Sequence, residues 1–175
     1  MTNPRSVIAV FADHQGAEAA VKKLASEGID MKHLSVVGKG FHTDEKVVGF
    51  YNTGDRVKFW GTNGAFWGGM WGWLAGGLFI TTPVVGPVVI VGSLAAIVVT
   101  AIEGALVVGG LSALGAALFS IGIPKDSVVD YETCVKADKF LVMARGPAEE
   151  MTRAKTILGT FKPARVDEHV TALAA

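Results

Sequence analysis

The sequence predicts an α+β fold whose single sheet is assembled from two separated polar segments, with a hydrophobic helical insertion between them. Three observations carry this reading. The 175-residue chain holds 16 basic and 16 acidic side chains, yet Glu103 is the sole charged residue between Gly64 and Ile123. The polar segments on either side show clear strand and helix periodicities. Each offers only two strands, and a two-stranded sheet is marginal in water. Joined, they give β-α-β-β-α-β with an extra helix, the split β-α-β order of ferredoxin-like domains. Residues 1–55 and 124–175 are therefore expected to form the two halves of one domain. Residues 56–123 are expected to be an all-helical hairpin inserted between the second and third strands, with both its ends on one side.

In the first segment, Ser6 to Phe11 is β-branched and aromatic, the composition of a buried strand. Asp13 is placed to cap a helix from about Gln15 to Glu27, whose Ala17, Ala20, Val21 and Leu24 share a face, and Gly28 follows as its stop. Leu34 to Val37 reads as a second strand. In the second segment, Pro124 precedes a helix over Ser127 to Ala137, with Val128, Tyr131 and Val135 at helical spacing. Phe140 to Ala144 is a strand. Pro147 opens a further helix to about Leu158, with Glu149 and Glu150 in its first turn and Arg153 and Lys155 later, as the helix dipole favours. Arg165 to Val170 closes the segment as an edge strand.

The apolar block has its own pattern. Gly64, Gly68, Gly72 and Gly76 recur at every fourth position. On a helix they drift by roughly 40° per step and line a shallow groove that permits close backbone approach. Trp60, Trp67 and Trp71 follow the neighbouring side of the same helix, as an interfacial anchor, an oligomer contact or a plain aromatic ridge. Pro83, Gly86 and Pro87 end this first helix, expected over about Phe59 to Thr81, a length that spans a bilayer core of ~30 Å. The remainder, to Ile123, is too long for one crossing, and two would bring the chain out on the wrong side. Either a stretch near Glu103-Gly104 or Gly109-Gly110 bends and lies re-entrant or at the interface, or the block never fully spans; a hairpin with a bent second arm is the expected solution. The polar segments are too small to cover the block, so its burial is expected from lipid or from further copies of the chain.

Balanced charge argues against nucleic-acid binding. One cysteine, Cys134, excludes an internal disulfide framework and a cysteine-based zinc cluster. His14, His33, His42 and His169 lack metal-ligand spacing, so they are read as surface or loop residues and no metal or cofactor is expected. Ser112 and Ser120 lack a nucleophile-elbow context, and Gly38-Lys39-Gly40 is a turn rather than a phosphate loop. Nothing here points to an enzyme. Glu103 is the exception to a featureless block: an ionisable group in such a segment is either functional or solvated at a bend. The N-terminal apolar run is too short for a signal peptide.

The run Tyr51-Asn52-Thr53-Gly54-Asp55-Arg56-Val57-Lys58-Phe59-Trp60-Gly61, followed by Gly64-Ala65-Phe66-Trp67-Gly68-Gly69, the break from Pro83 to Pro87, Glu103-Gly104-Ala105, Gly109-Gly110-Leu111-Ser112-Ala113-Leu114-Gly115 and Gly122-Ile123-Pro124-Lys125-Asp126-Ser127, forms a distinctive set. It resembles a bacterial family of membrane proteins labelled stress-induced or permease-like, similar to the heat-induced general stress proteins. Thr81-Thr82 departs from the family's more apolar pattern at that turn. The resemblance implies a ferredoxin-like domain split by a glycine-zipper hairpin, and it implies no substrate.

The expectation is thus a non-enzymatic, membrane-associated stress-type protein with a scaffolding or membrane-stabilising role. Its partners would be membrane lipid and itself, with no nucleic acid. Gly64, Gly68, Gly72, Gly76, Gly104 and Gly109 would pack its helices, and Trp60, Trp67 and Trp71 would anchor it. It would sit in the bacterial inner membrane with both termini cytoplasmic. The alternatives are a small oligomeric channel with Glu103 on the pathway, and a cytoplasmic self-assembling particle whose hairpins bury one another.

Overall fold

The computed structural model describes residues 4–39, 78–82, 86–104 and 112–170. Strand β1 (Arg5–Phe11) is buried from Ser6 onward, as its unbroken apolar run requires. Helix α1 (His14–Ser26) starts at Asp13, whose side chain accepts from the Gly16 backbone N–H at 2.7 Å. A short 3-10 turn (Met31–His33) leads into β2 (Leu34–Lys39). The next elements are β3 (Leu78–Thr82), β4 (Gly86–Gly92), α2 (Ser93–Gly104) and α3 (Ala113–Ser120). Then follow α4 (Lys125–Lys136), β5 (Phe140–Gly146), α5 (Ala148–Thr160) and β6 (Arg165–Val170).

The strands form one sheet in the order β3-β4-β2-β5-β1-β6, and every neighbouring pair is antiparallel. Strands β1 and β2 both run against β5, so they are parallel to each other and α1 crosses between them. Strands β5 and β6 both run against β1, and α5 makes the equivalent crossover.

Strand alternation divides the apolar side chains between two cores. Val7, Ala9, Phe11, Leu34, Val142 and Ala144 face α1 and α5. Ile8, Val10, Val37, Leu141 and Met143 face the opposite way, onto a layer made by α2, α3 and α4. Strands β1, β2 and β5 are covered on both sides, and this is why β1 and β5 read as continuous rather than alternating apolar runs.

The α+β class is as expected; the all-helical character of the insertion is corrected. Leu78–Thr82 and Gly86–Gly92 are strands, paired with each other from Leu78↔Ile90 to Thr82↔Gly86. The expected first helix therefore does not reach Thr81. The physical reason lies in the sequence: Val88, Val89, Ile90 and Val91 are all β-branched, and Pro87 occupies the start of its strand, outside the ladder with β2. The second arm is likewise three elements, β4, α2 and α3, rather than one bent helix. Burial also needs correcting for this part of the block. Val88, Ile90, Leu94, Val98, Leu114, Leu118, Ile121 and Ile123 are buried by the chain's own sheet and helices. No helix among the described residues is long and apolar enough to cross a membrane.

Candidate functional site

Two regions carry chemistry or exposed surface. The first is the apolar helical layer. Helices α2 and α3 are composed almost wholly of apolar and small residues, with Glu103 as their one charge. Leu94 and Val98 of α2 and Leu114 and Leu118 of α3 turn into the core. Val99 and Phe119 point the other way and are 51% and 46% exposed.

Helix α3 is fixed to α4 by a polar clasp. Ser112 caps α3 by accepting from the Gly115 N–H at 3.0 Å and donates its own proton to Glu132, a carboxylate buried at this contact. Gly115 makes the approach possible, since a Cβ there would lie 2.8 Å from Glu132 Oε1 and 3.2 Å from Val128 Cγ1.

The second region joins α4 to β6. Tyr131 is completely buried except through its hydroxyl network: Oη lies 2.9 Å from Asp167 Oδ2 and 2.7 Å from His169 Nε2. An ionised Asp167 can only accept, so Tyr131 donates to it and must accept from His169, which assigns the proton to Nε2. The imidazole meets the phenol ring edge-on, with centroids 5.9 Å apart. Arg165 lies over the same ring at 5.5 Å and pairs with both Asp130, at 3.0 Å, and Asp167. Burial, reinforced by the bond to Asp167, pushes the Tyr131 hydroxyl far above its ordinary value, so it stays protonated. Burial also holds His169 below the usual imidazole value, opposed by Asp167 and assisted by Arg165.

Strand alternation places Arg165, Asp167 and His169 on one face. His169 pairs across the ladder with Ser6, and Ser6 pairs in turn with Arg145. On the other face, Glu168 binds Arg5 at 2.8 Å and Lys155 at 3.2 Å; the bond to Arg5 leads in holding its carboxyl below the ordinary range.

Of the residues singled out by sequence, Glu103 and Gly104 form the last turn of α2. Gly64, Gly68, Gly72, Gly76, Gly109, Trp60, Trp67 and Trp71 lie outside the described residues. His33 contacts Glu150 at 3.1 Å, and Cys134 is a partly buried thiol against the second core. No group of ligating side chains suited to a metal occurs among the described residues. Sequence reasoning missed the Tyr131–Asp167–His169–Arg165 cluster. The signal available for it was the period-two run Arg165, Asp167, His169, three titratable groups on one side of a strand.

Residues 6–82 match the family model described as the heat induced stress protein YflT domain. The match supports the resemblance to the stress-protein family, and it runs from β1 through β3. No curated protein and no solved structure matches the chain.

Proposed function

We propose that this chain is a non-enzymatic stress-type protein that assembles with copies of itself through its apolar helical layer, in a scaffolding or membrane-stabilising role. One observation carries the reading. Helices α2 and α3 are almost wholly apolar, a composition suited to burial, yet Val99 and Phe119 stand exposed. A second copy of the same surface would cover them, and homo-oligomers are the commonest form of stable association. The match to a heat-induced stress protein domain fits a stress-type role. The strand order β2-β5-β1-β6, with α1 and α5 on one side, supports a ferredoxin-like unit extended at one edge by the β3-β4 hairpin.

A membrane surface is the second occupant for this layer, favoured by the charge-free run that continues through Gly64, Gly68, Gly72 and Gly76.

Sedimentation velocity in detergent-free buffer, set beside carbonate-washed cell fractions, tests the reading. The wild type is expected as an oligomer, and Val99→Glu with Phe119→Glu as a monomer of unchanged circular dichroism. A wild type that stays monomeric at every concentration would overturn self-assembly. Carbonate-resistant membrane recovery would assign the surface to lipid.

A further inference from the structure

The helices on one side of the sheet stop short of its β3-β4 end. Helices α1 and α5 pack on β1, β5 and β6, and among the described residues the first core extends no farther than Leu34 and Val36 of β2. At its margin the Phe140 ring reaches over Gly38, where a Cβ would lie 2.5 Å from the ring. Gly38 pairs with Val89 of β4, and Val89 with Phe79 of β3. Val88 and Ile90 belong to the second core, so strand alternation gives Val89, Val91 and Phe79 to the α1 side. Apolar positions gathered on one stretch of sheet call for a cover.

Topology points to the part of the chain that supplies it. Strands β2 and β3 both run against β4, so they are parallel, and residues 40–77 carry the chain from one to the other past β4. The step from β1 to β2 past β5 joins parallel strands in the same direction across the sheet. Crossovers are overwhelmingly right-handed, and two such steps of one hand lie on one side. Helix α1 makes the first, so the second belongs beside it. The opposite side is already taken, because α2 lies there against β4 and β2; that helix begins the connection from β4 to β5, which has the opposite hand. Lys39 and Ile80 both pair with Val88, so the segment is anchored on the strands either side of β4, ~10 Å apart. A cover tethered at both ends competes with separate molecules at a high effective concentration. Its composition fits: no residue from Phe59 to Gly77 is charged, and all four tryptophans of the chain lie in that stretch.

We propose that the α1 side of β3 and β4 is the docking surface for the chain's own residues 40–77, whose uncharged stretch from Phe59 to Gly77 completes the first core. The surface lies across the sheet from the layer that carries Val99 and Phe119, so the proposal stands apart from self-assembly through them.

Tryptophan emission of the full chain tests it, since every tryptophan belongs to the segment. Val89→Glu is expected to shift the emission to the red and to strengthen quenching by acrylamide, whereas Val99→Glu leaves both as in the wild type. Wild-type emission is expected to be the same at every concentration, including those at which sedimentation finds a monomer. Circular dichroism establishes that each variant folds; if Val89→Glu does not, a benzophenone photo-crosslinker at position 91 is read instead, with cross-links expected into residues 40–77 of the same chain. Emission that moves to the red as the chain dissociates, or cross-links between chains, would assign the surface to a second copy. Emission that moves to the blue only on adding phosphatidylethanolamine–phosphatidylglycerol vesicles would assign it to a membrane. Either result would overturn the proposal, as would unchanged emission in a folded Val89→Glu chain.

Discussion

Tyr131 and Asp167 join α4 to the edge strand β6 through a hydrogen bond of 2.9 Å whose donor belongs to a fully buried ring. The bond reaches across the end of the second core and adds to what already holds the edge strand, its ladder with β1 and its ion pairs to Asp130 of α4 and Lys155 of α5. Its acceptor is charged, so it belongs to the stronger class of hydrogen bonds.

Tyr131→Phe keeps the ring and removes that donor. Asp167 then loses its buried partner and His169 loses its acceptor. A destabilisation of about 1.5–3 kcal/mol is expected, read as a lower urea midpoint with an unchanged slope. Loss below about 0.5 kcal/mol would mean that water replaces the hydroxyl without penalty.

His169 sets an acid limit on stability. Its folded-state value lies below the unfolded one, so between the two the unfolded chain binds more protons. Stability therefore falls as pH drops from the ordinary imidazole value, ~6.5, toward the folded value. Glu168 acts lower down: Arg5 and Lys155 depress it, and the stabilisation present above the ordinary carboxylate value is lost as pH falls through its folded value. Urea midpoints between pH 8 and pH 3 are expected to show both slopes. His169→Gln should flatten the upper one alone; an unaltered upper slope in that variant would assign it to another group.

Gly92 holds the junction between sheet and helical layer. Its positive φ and the 2.2 Å approach of a Cβ to the Leu34 carbonyl leave no room for alanine without moving β2 or α2. Gly92→Ala is expected to cost well over ~2 kcal/mol, combining left-handed strain with a backbone clash. Chemical denaturation measures the loss, and hydrogen exchange should place the increased opening in β2, β4 and α2.

The flanks were legible because their signals are local. Asp13 before α1, Pro147 before α5 and the apolar runs of β1 and β5 each specify an element without reference to distant chain. The β3-β4 hairpin was misread because glycines at fourfold spacing and a long uncharged stretch outweighed the β-branched run from Val88 to Val91. Whether that run becomes a strand depends on β2 offering an edge, a tertiary fact. The Tyr131 cluster was hidden for a similar reason. Tyr131 stood out as a core position of α4, but its partners belong to β6, and only the strand order brings them under it. Ser6 and Arg145 face each other through register, which pattern alone does not fix.

The last expectation concerns whether the helical layer folds with the sheet or apart from it. Leu114 of α3 is fully buried in the same core as Ile8 of β1 and Leu141 of β5, although it lies within the charge-poor block. If the layer were an independent insertion, truncating Leu114 would loosen α2 and α3 and leave the rest intact. A shared core makes a different demand: the cavity weakens everything packed around it. Leu114→Ala is expected to lower global stability by about 2–5 kcal/mol in a single transition seen alike by circular dichroism and by fluorescence of a probe on α5. Helix α5 lies on the opposite side of the sheet, so its unfolding in step with α3 would establish one cooperative unit. Two separated transitions, with the α5 probe unshifted, would show that the block folds on its own.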